Sequence, residues 1–145
     1  MLNKTIIAVV LFLGVVVAVS GCGKDNLNGT WQAVSVNNEL QHQFPDVKID
    51  PDTITFSGKS FTLITTAAAF GPLNDHPDVK ILATKRLPNV VQDLVLAKTT
   101  LKGTFSLSAD KSKMETIVTN QSPRISSFSR TDNTITIDNQ RFNRK

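Results

Sequence analysis

Apolar and polar residues alternate along most of this chain, and one alternating segment occurs twice. Asp52-Thr-Ile-Thr-Phe-Ser-Gly-Lys-Ser-Phe61 aligns without a gap with Asn133-Thr-Ile-Thr-Ile-Asp-Asn-Gln-Arg-Phe142. Alternation, a pair of turn formers and alternation again predict a β-hairpin in each copy. A two-residue turn at Gly58-Lys59 pairs Ser57 with Ser60, Phe56 with Phe61 and Ile54 with Leu63. The large apolar side chains then share one face and Thr53, Thr55 and Thr62 the other. Glycine at the first central position suits a type II′ turn, whose twist matches the strands. In the second copy the same alignment puts Asn139-Gln140 at the turn, Ile137 opposite Phe142, and Asp138 opposite Arg141 as a charge pair.

The rest of the pattern is also largely strand-like. Leu101–Leu107 and Met114–Val118 predict a third hairpin, with Leu101, Phe105 and Leu107 on one face. Thr30–Val36 reads as a first strand, Ile125–Arg130 as a weaker one, and Val79–Leu82 as a short one. Phe70–Asp78 is loop-like from its Gly, Pro, Asn and Asp content. Pro88–Lys98 opens on proline and places Val90, Val91, Leu94 and Val95 at helical spacing; it reads as a short helix, with a strand as the competing pattern. Seven to nine short strands in meander order predict an all-β fold, an antiparallel meander closing into a small barrel or sandwich.

The amino terminus follows a different pattern. Lys4 precedes a run of 14 apolar residues, Ile6 to Val19, and then Ser20-Gly21-Cys22. A charged start, an apolar stretch and a small-residue cleavage site are the three parts of a secretory signal. The run is short for a spanning helix, which needs ~20 residues. Val19-Ser20-Gly21-Cys22 resembles the lipobox of bacterial lipoproteins. The resemblance implies cleavage before Cys22 and lipidation of its thiol, and hence a membrane partner through that anchor. The resemblance also implies that Gly23, in place of the Asp that signals inner-membrane retention, favours the periplasmic face of the outer membrane in a two-membrane host; in a host with one membrane the anchor would lie in the outer leaflet of the cytoplasmic membrane. Cys22 is the only cysteine, so the domain must stand without disulfides in an oxidising compartment. The expected organisation is a signal peptide at 1–21, a lipidated cysteine and polar tether at 22–28, and one domain at 29–145.

Leu27-Asn-Gly29-Thr30-Trp31 resembles the Gly-x-Trp opening of lipocalin-like proteins. That resemblance implies a lipocalin-like β-barrel in which Trp31 closes one end beside a basic residue of the last strand, Arg144 or failing that Arg141. It assigns Gly29, Trp31 and Arg144 structural roles.

Composition narrows the function. Net charge is +4, and Arg124, Arg130, Arg141, Arg144 and Lys145 fall late in the chain. A secretion signal speaks against nucleic acid as the partner of these charges; a solvated face, or contact with anionic lipid or polysaccharide, is what they imply. His42 and His76 sit in no catalytic motif, and no nucleophile elbow, zinc helix or phosphate loop occurs. Asn74–Asp78 and the trio Asp46, Asp50 and Asp52 have metal-capable side chains, but Asn and Asp beside Pro are what turns use. The expectation is no enzyme, cofactor or metal. The sequence favours a non-catalytic binding or structural module with its interior filled by Phe56, Phe61, Phe105 and Phe142, contacting an envelope protein. The alternative is a hollow barrel carrying a small hydrophobic ligand.

Overall fold

The structure, a computed structural model, describes residues 26–72 and 78–145. Cys22 and its cleavage site, and His76 with most of the Asn74–Asp78 loop, lie outside the described residues. Among the described residues nine strands and one helix follow in order: β1 Gly29–Ala33, α1 Asn38–Gln43, β2 Thr53–Ser57, β3 Ser60–Phe70, β4 Val79–Lys85, β5 Leu94–Leu107, β6 Lys113–Val118, β7 Arg124–Thr131, β8 Thr134–Ile137 and β9 Gln140–Arg144. Among the described residues no helix is long and apolar enough to cross a membrane.

The strands close into an eight-stranded antiparallel barrel. Chain neighbours pair with one another except β3 and β4; β3 pairs directly with β5, and β9 returns to pair with β1. A ring in which every neighbouring pair is antiparallel must hold an even number of strands. The ninth, β4, is therefore left outside, and this is where the chain departs from a regular meander. It pairs with the first half of β5, from Leu94 to Thr99, while β6 takes over the same edge from Gly103 to Leu107. The upper halves of β3 and β5, with β4, thus continue beyond the ring as a three-stranded extension.

The free edge of β4 is guarded. A bulge between Ile81 and Ala83 breaks its register, and Lys80 and Lys85 stand along it; bulges and lysines are what edge strands use against pairing with another chain.

The first hairpin has the register its sequence predicts, Phe56 opposite Phe61 and Ile54 opposite Leu63, with Gly58 at φ +61. In the second hairpin the turn falls one residue earlier than expected. Ile137 pairs with Gln140 and Ile135 with Phe142, so Asp138-Asn139 form the turn. Moving a two-residue turn by one position changes each partner by two and keeps every side chain on its face. Alternation therefore does not distinguish the two turns. What favours the observed one lies on β7: the Ser127 N–H donates to Asp138 Oδ1 at 3.1 Å and Arg124 Nη2 to Oδ2 at 3.1 Å. Asp138 thus pairs with Arg124 rather than with the expected Arg141.

The helix is also not where the sequence put it. Pro88–Lys98 contains no helix; Leu94–Lys98 is the start of β5. Leu94, Val95, Leu96 and Ala97 are all buried. A continuous apolar run covered on both faces is how a central strand reads, and here its period mimicked a helix. The helix that forms is α1, capped by Asn37, whose side chain accepts from the Glu39 and Leu40 N–H groups at 3.0 and 3.2 Å. Gln41 then fastens the following loop by donating to Val47 O at 2.8 Å and accepting from the Ile49 N–H at 3.3 Å.

Two cores result. One fills the closed half of the barrel around Trp31, Phe56, Met114, Phe128 and Ile135, with Phe105 packed edge-on to Phe56 at 4.7 Å between ring centroids. The other lies on the extension, where Leu40, Phe44 and Ile49 cover Leu94 and Leu96. Full burial of one such side chain contributes ~1.5–3 kcal/mol, so α1 is held mainly by tertiary contact; six residues are too few for a helix to persist alone.

The β5–β6 loop is organised by Asp110, which accepts from the Ser108 and Ser112 hydroxyls at 2.7 and 2.8 Å. The Ser108 and Ser112 hydroxyls, and then the Ser112 N–H, lower its carboxyl from 3.8 to about 2. A lowered folded-state pKa stabilises above the ordinary carboxylate range and is lost as pH falls through the lowered value. Relative to Asp110→Asn, the wild-type chain should therefore lose extra stability between about pH 4 and pH 2, seen as steeper acid dependence in denaturant titrations. Parallel pH profiles for the two proteins would count against this staple.

Candidate functional site

The two ends of the barrel differ. At the end bearing the β2–β3, β5–β6 and β7–β8 turns, Trp31 is completely buried. Its indole Nε1 donates to Leu27 O at 2.8 Å. Arg144, its register partner across the β1–β9 seam, lies with its guanidinium carbon 4.3 Å from the Trp31 ring centroid, and Arg130 lies at 5.8 Å. Arg144 also donates to Asn28 O at 2.7 Å and Asn26 O at 3.1 Å, clamping the entering chain across the end. Gly29 takes φ +119, a conformation costly for other residues, and a Cβ there would stand 3.1 Å from the Arg144 guanidinium. Gly29, Trp31 and Arg144 thus form one plug. Arg141 is not part of it.

The other end is open. A cavity of about 590 Å³ enters between the β6–β7 and β8–β9 turns. Its walls are apolar: Ile54, Phe61, Leu63, Leu101, Met114, Val118, Ile137 and Phe142. Thr116 and Ser126 add hydroxyls within, and Asp52, Gln121, Arg124, Asp138 and Gln140 make the rim polar. These positions converge because inward residues alternate along every strand of a barrel. The interior that the sequence reading filled with phenylalanines is therefore filled in one half only: Phe56 and Phe105 pack in the closed half, whereas Phe61 and Phe142 line the cavity.

The rim is ordered by its own contacts. The Ser127 N–H, and then the Arg124 guanidinium, hold the Asp138 carboxyl below the usual carboxylate range. Gln140 Nε2 donates to Asp52 Oδ2 at 3.3 Å, joining β9 to the start of β2. Sequence reasoning missed Arg124, Asp138 and the cavity wall as a set; the wall residues are marked only by facing inward near the same end, and Arg124 and Asp138 only by lying at the rim beside the β6–β7 and β8–β9 turns.

The other chemically capable residues are dispersed. His42 is exposed on α1, and Asp46 is exposed on the loop after it. Asp50 pairs with Lys98 at 3.1 Å, and Asp52 belongs to the rim. Among the described residues no three His, Cys, Asp or Glu side chains gather to hold a metal ion.

The fold and the cavity define a class, a small closed antiparallel all-β barrel with one plugged and one open end. Comparison of the chain with protein-family profiles, curated proteins and solved structures gives no match.

Proposed function

We propose that this protein is a non-catalytic, lipid-anchored envelope lipoprotein whose barrel binds a small hydrophobic ligand. The cavity carries the reading. A volume of about 590 Å³ lies within the range of small-molecule sites, with mostly apolar walls and a few convergent polar groups. A ligand seated there would put an apolar body against Leu63, Leu101 and Met114 and a polar end toward Arg124 and Gln140.

Native mass spectrometry of the purified protein should show a co-purifying apolar molecule, or uptake of a fluorescent hydrophobic probe. Leu101→Trp puts a larger side chain into the cavity wall and should weaken probe binding about tenfold or more, because apolar pockets respond strongly to the loss of even a methylene's space. Unchanged affinity in a folded Leu101→Trp protein would place the probe elsewhere.

The anchor rests on the sequence around Cys22. Mass spectrometry of the mature amino terminus should find an acylated Cys22 with nothing before it; a soluble product beginning at Met1 would sink that part of the reading.

A second reading, contact with an envelope protein, is favoured by the tip of the extension. Phe70, at the end of β3, is 53% exposed, and Val91, on the β4–β5 loop, 88%; Val91 borders a groove lined by Gly71, Ile81 and Val95.

A further inference from the structure

We propose that the plugged end of the barrel is a docking face for anionic lipid headgroups, so that the mouth points away from the bilayer. The proposal rests on the lipid anchor at Cys22 and goes beyond it in assigning an orientation. Two independent observations carry it.

The first is reach. Arg144 fixes Asn26 and Asn28 to the plugged end through their carbonyl oxygens. Only Gly23, Lys24 and Asp25 separate Cys22 from Asn26, and four residue steps span at most ~14 Å even when fully extended. An acylated Cys22 in the interface therefore holds the plugged end within about that distance of the headgroups. The mouth, at the far ends of the same strands, is held away.

The second is charge. The turns and strand ends of the plugged end carry Lys59, Lys111, Lys113, Arg130, Arg144 and Lys145 against Asp110 and Asp132. That is six cationic side chains and two anionic ones; Arg130 and Arg144 pack over the Trp31 ring, and the four lysines are exposed. The other described residues balance, eight of each sign. All of the excess positive charge of the described residues thus sits on the end that the tether brings to the membrane. Anionic headgroups attract basic side chains held within a Debye length of the surface. A ligand would then enter from the aqueous side.

The test uses the full chain, expressed in a bacterial host and reconstituted in vesicles containing phosphatidylglycerol. With Cys22 acylated, an introduced cysteine is the sole free thiol. A fluorophore at Ser60→Cys, beside Lys59, should be quenched by nitroxide-headgroup lipids. One at Gln121→Cys, on the mouth, should be quenched by aqueous acrylamide and hardly by the lipids. Replacing Lys59, Lys111 and Lys113 with Gln should lower the contact equilibrium at the Ser60 label by on the order of a hundredfold, at about fivefold per charge. Raising the salt concentration should act in the same direction, with the protein still anchored. Equal quenching of the two labels in an acylated, vesicle-bound protein would overturn the orientation alone. A protein that washes off the vesicles with Cys22 unmodified would overturn the anchor and the orientation together.

Discussion

Trp31→Ala should remove about 3–5 kcal/mol of folding stability, the cost of truncating a large buried aromatic side chain. That is a large share of the ~5–15 kcal/mol that typically holds a domain together. The structure gives two reasons for the upper part of the range. Trp31 is wholly buried, and its removal also strands the Leu27 carbonyl to which the indole donates. The guanidinium of Arg144 would keep its two carbonyl partners but lose the ring beneath it. Arg144→Ala alone should cost about 1–2 kcal/mol, reflecting a partly screened cation–π contact and charge-assisted hydrogen bonds. The two changes should be non-additive by at least ~0.5 kcal/mol, as expected for residues in contact. Arg144→Lys should not restore the wild-type value, because an ammonium lacks the planar fork that reaches two carbonyls and stacks on a ring. Urea denaturation of the four proteins of the cycle and of Arg144→Lys measures all of this. Additive losses would mean that the ring and the guanidinium do not act together.

Gly103→Ala is the second large effect, expected to cost about 3 kcal/mol and to leave little folded protein at elevated temperature. Gly103 lies in β5 just beyond the stretch that pairs with β4, where β6 becomes the neighbour. A Cβ at this position would meet the Ile117 carbonyl oxygen at 2.1 Å and its carbon at 2.9 Å. These are backbone atoms of a paired strand, so relief requires moving β6, and glycine in a strand commonly marks such a close approach. Gly58→Ala is the matched control. Its Cβ would touch nothing within 4 Å, and the cost there is only that of a left-handed residue, about 1 kcal/mol. Thermal melts of both variants should separate them clearly. Equal losses would show that β5 and β6 have more room to adjust at Gly103 than this geometry allows.

The all-β class and most strands were legible in the sequence because a barrel writes its inside and outside as alternation. The Gly58-Lys59 turn was legible as well, since glycine there leaves one good choice. The Asp138-Asn139 turn was not: two positions fit the alternation equally, and Ser127 and Arg124, which hold Asp138, belong to another strand. The Leu94–Ala97 run misled for a related reason. A strand covered on both faces has no polar side to reveal its period, and the helix covering one face had its own signals, Asn37 as a cap with Leu40 and Phe44 one turn apart. At the plug, the lipocalin-like opening pointed to Gly29, Trp31 and Arg144, which the structure brings into contact. The cavity had no such marker. Its wall is made of ordinary apolar residues, and a space is set by which side chains are too short to meet across the barrel, something alternation does not record.

The seam between β1 and β9 places a condition on when this protein folds. Its register joins Trp31 to Arg144 and Ala33 to Phe142, the first strand to the last. Local hairpins form as their residues emerge, but neither ring closure nor the plug is available until β9 is free. Long-range pairings of this kind slow folding, because loop-closure entropy must be met before the contacts that offset it. A partial chain is thus an open sheet without its seal. In the secreted lipoprotein proposed above, this delay would keep the chain threadable until β9, which carries the stabilising latch, has followed the other strands across the membrane.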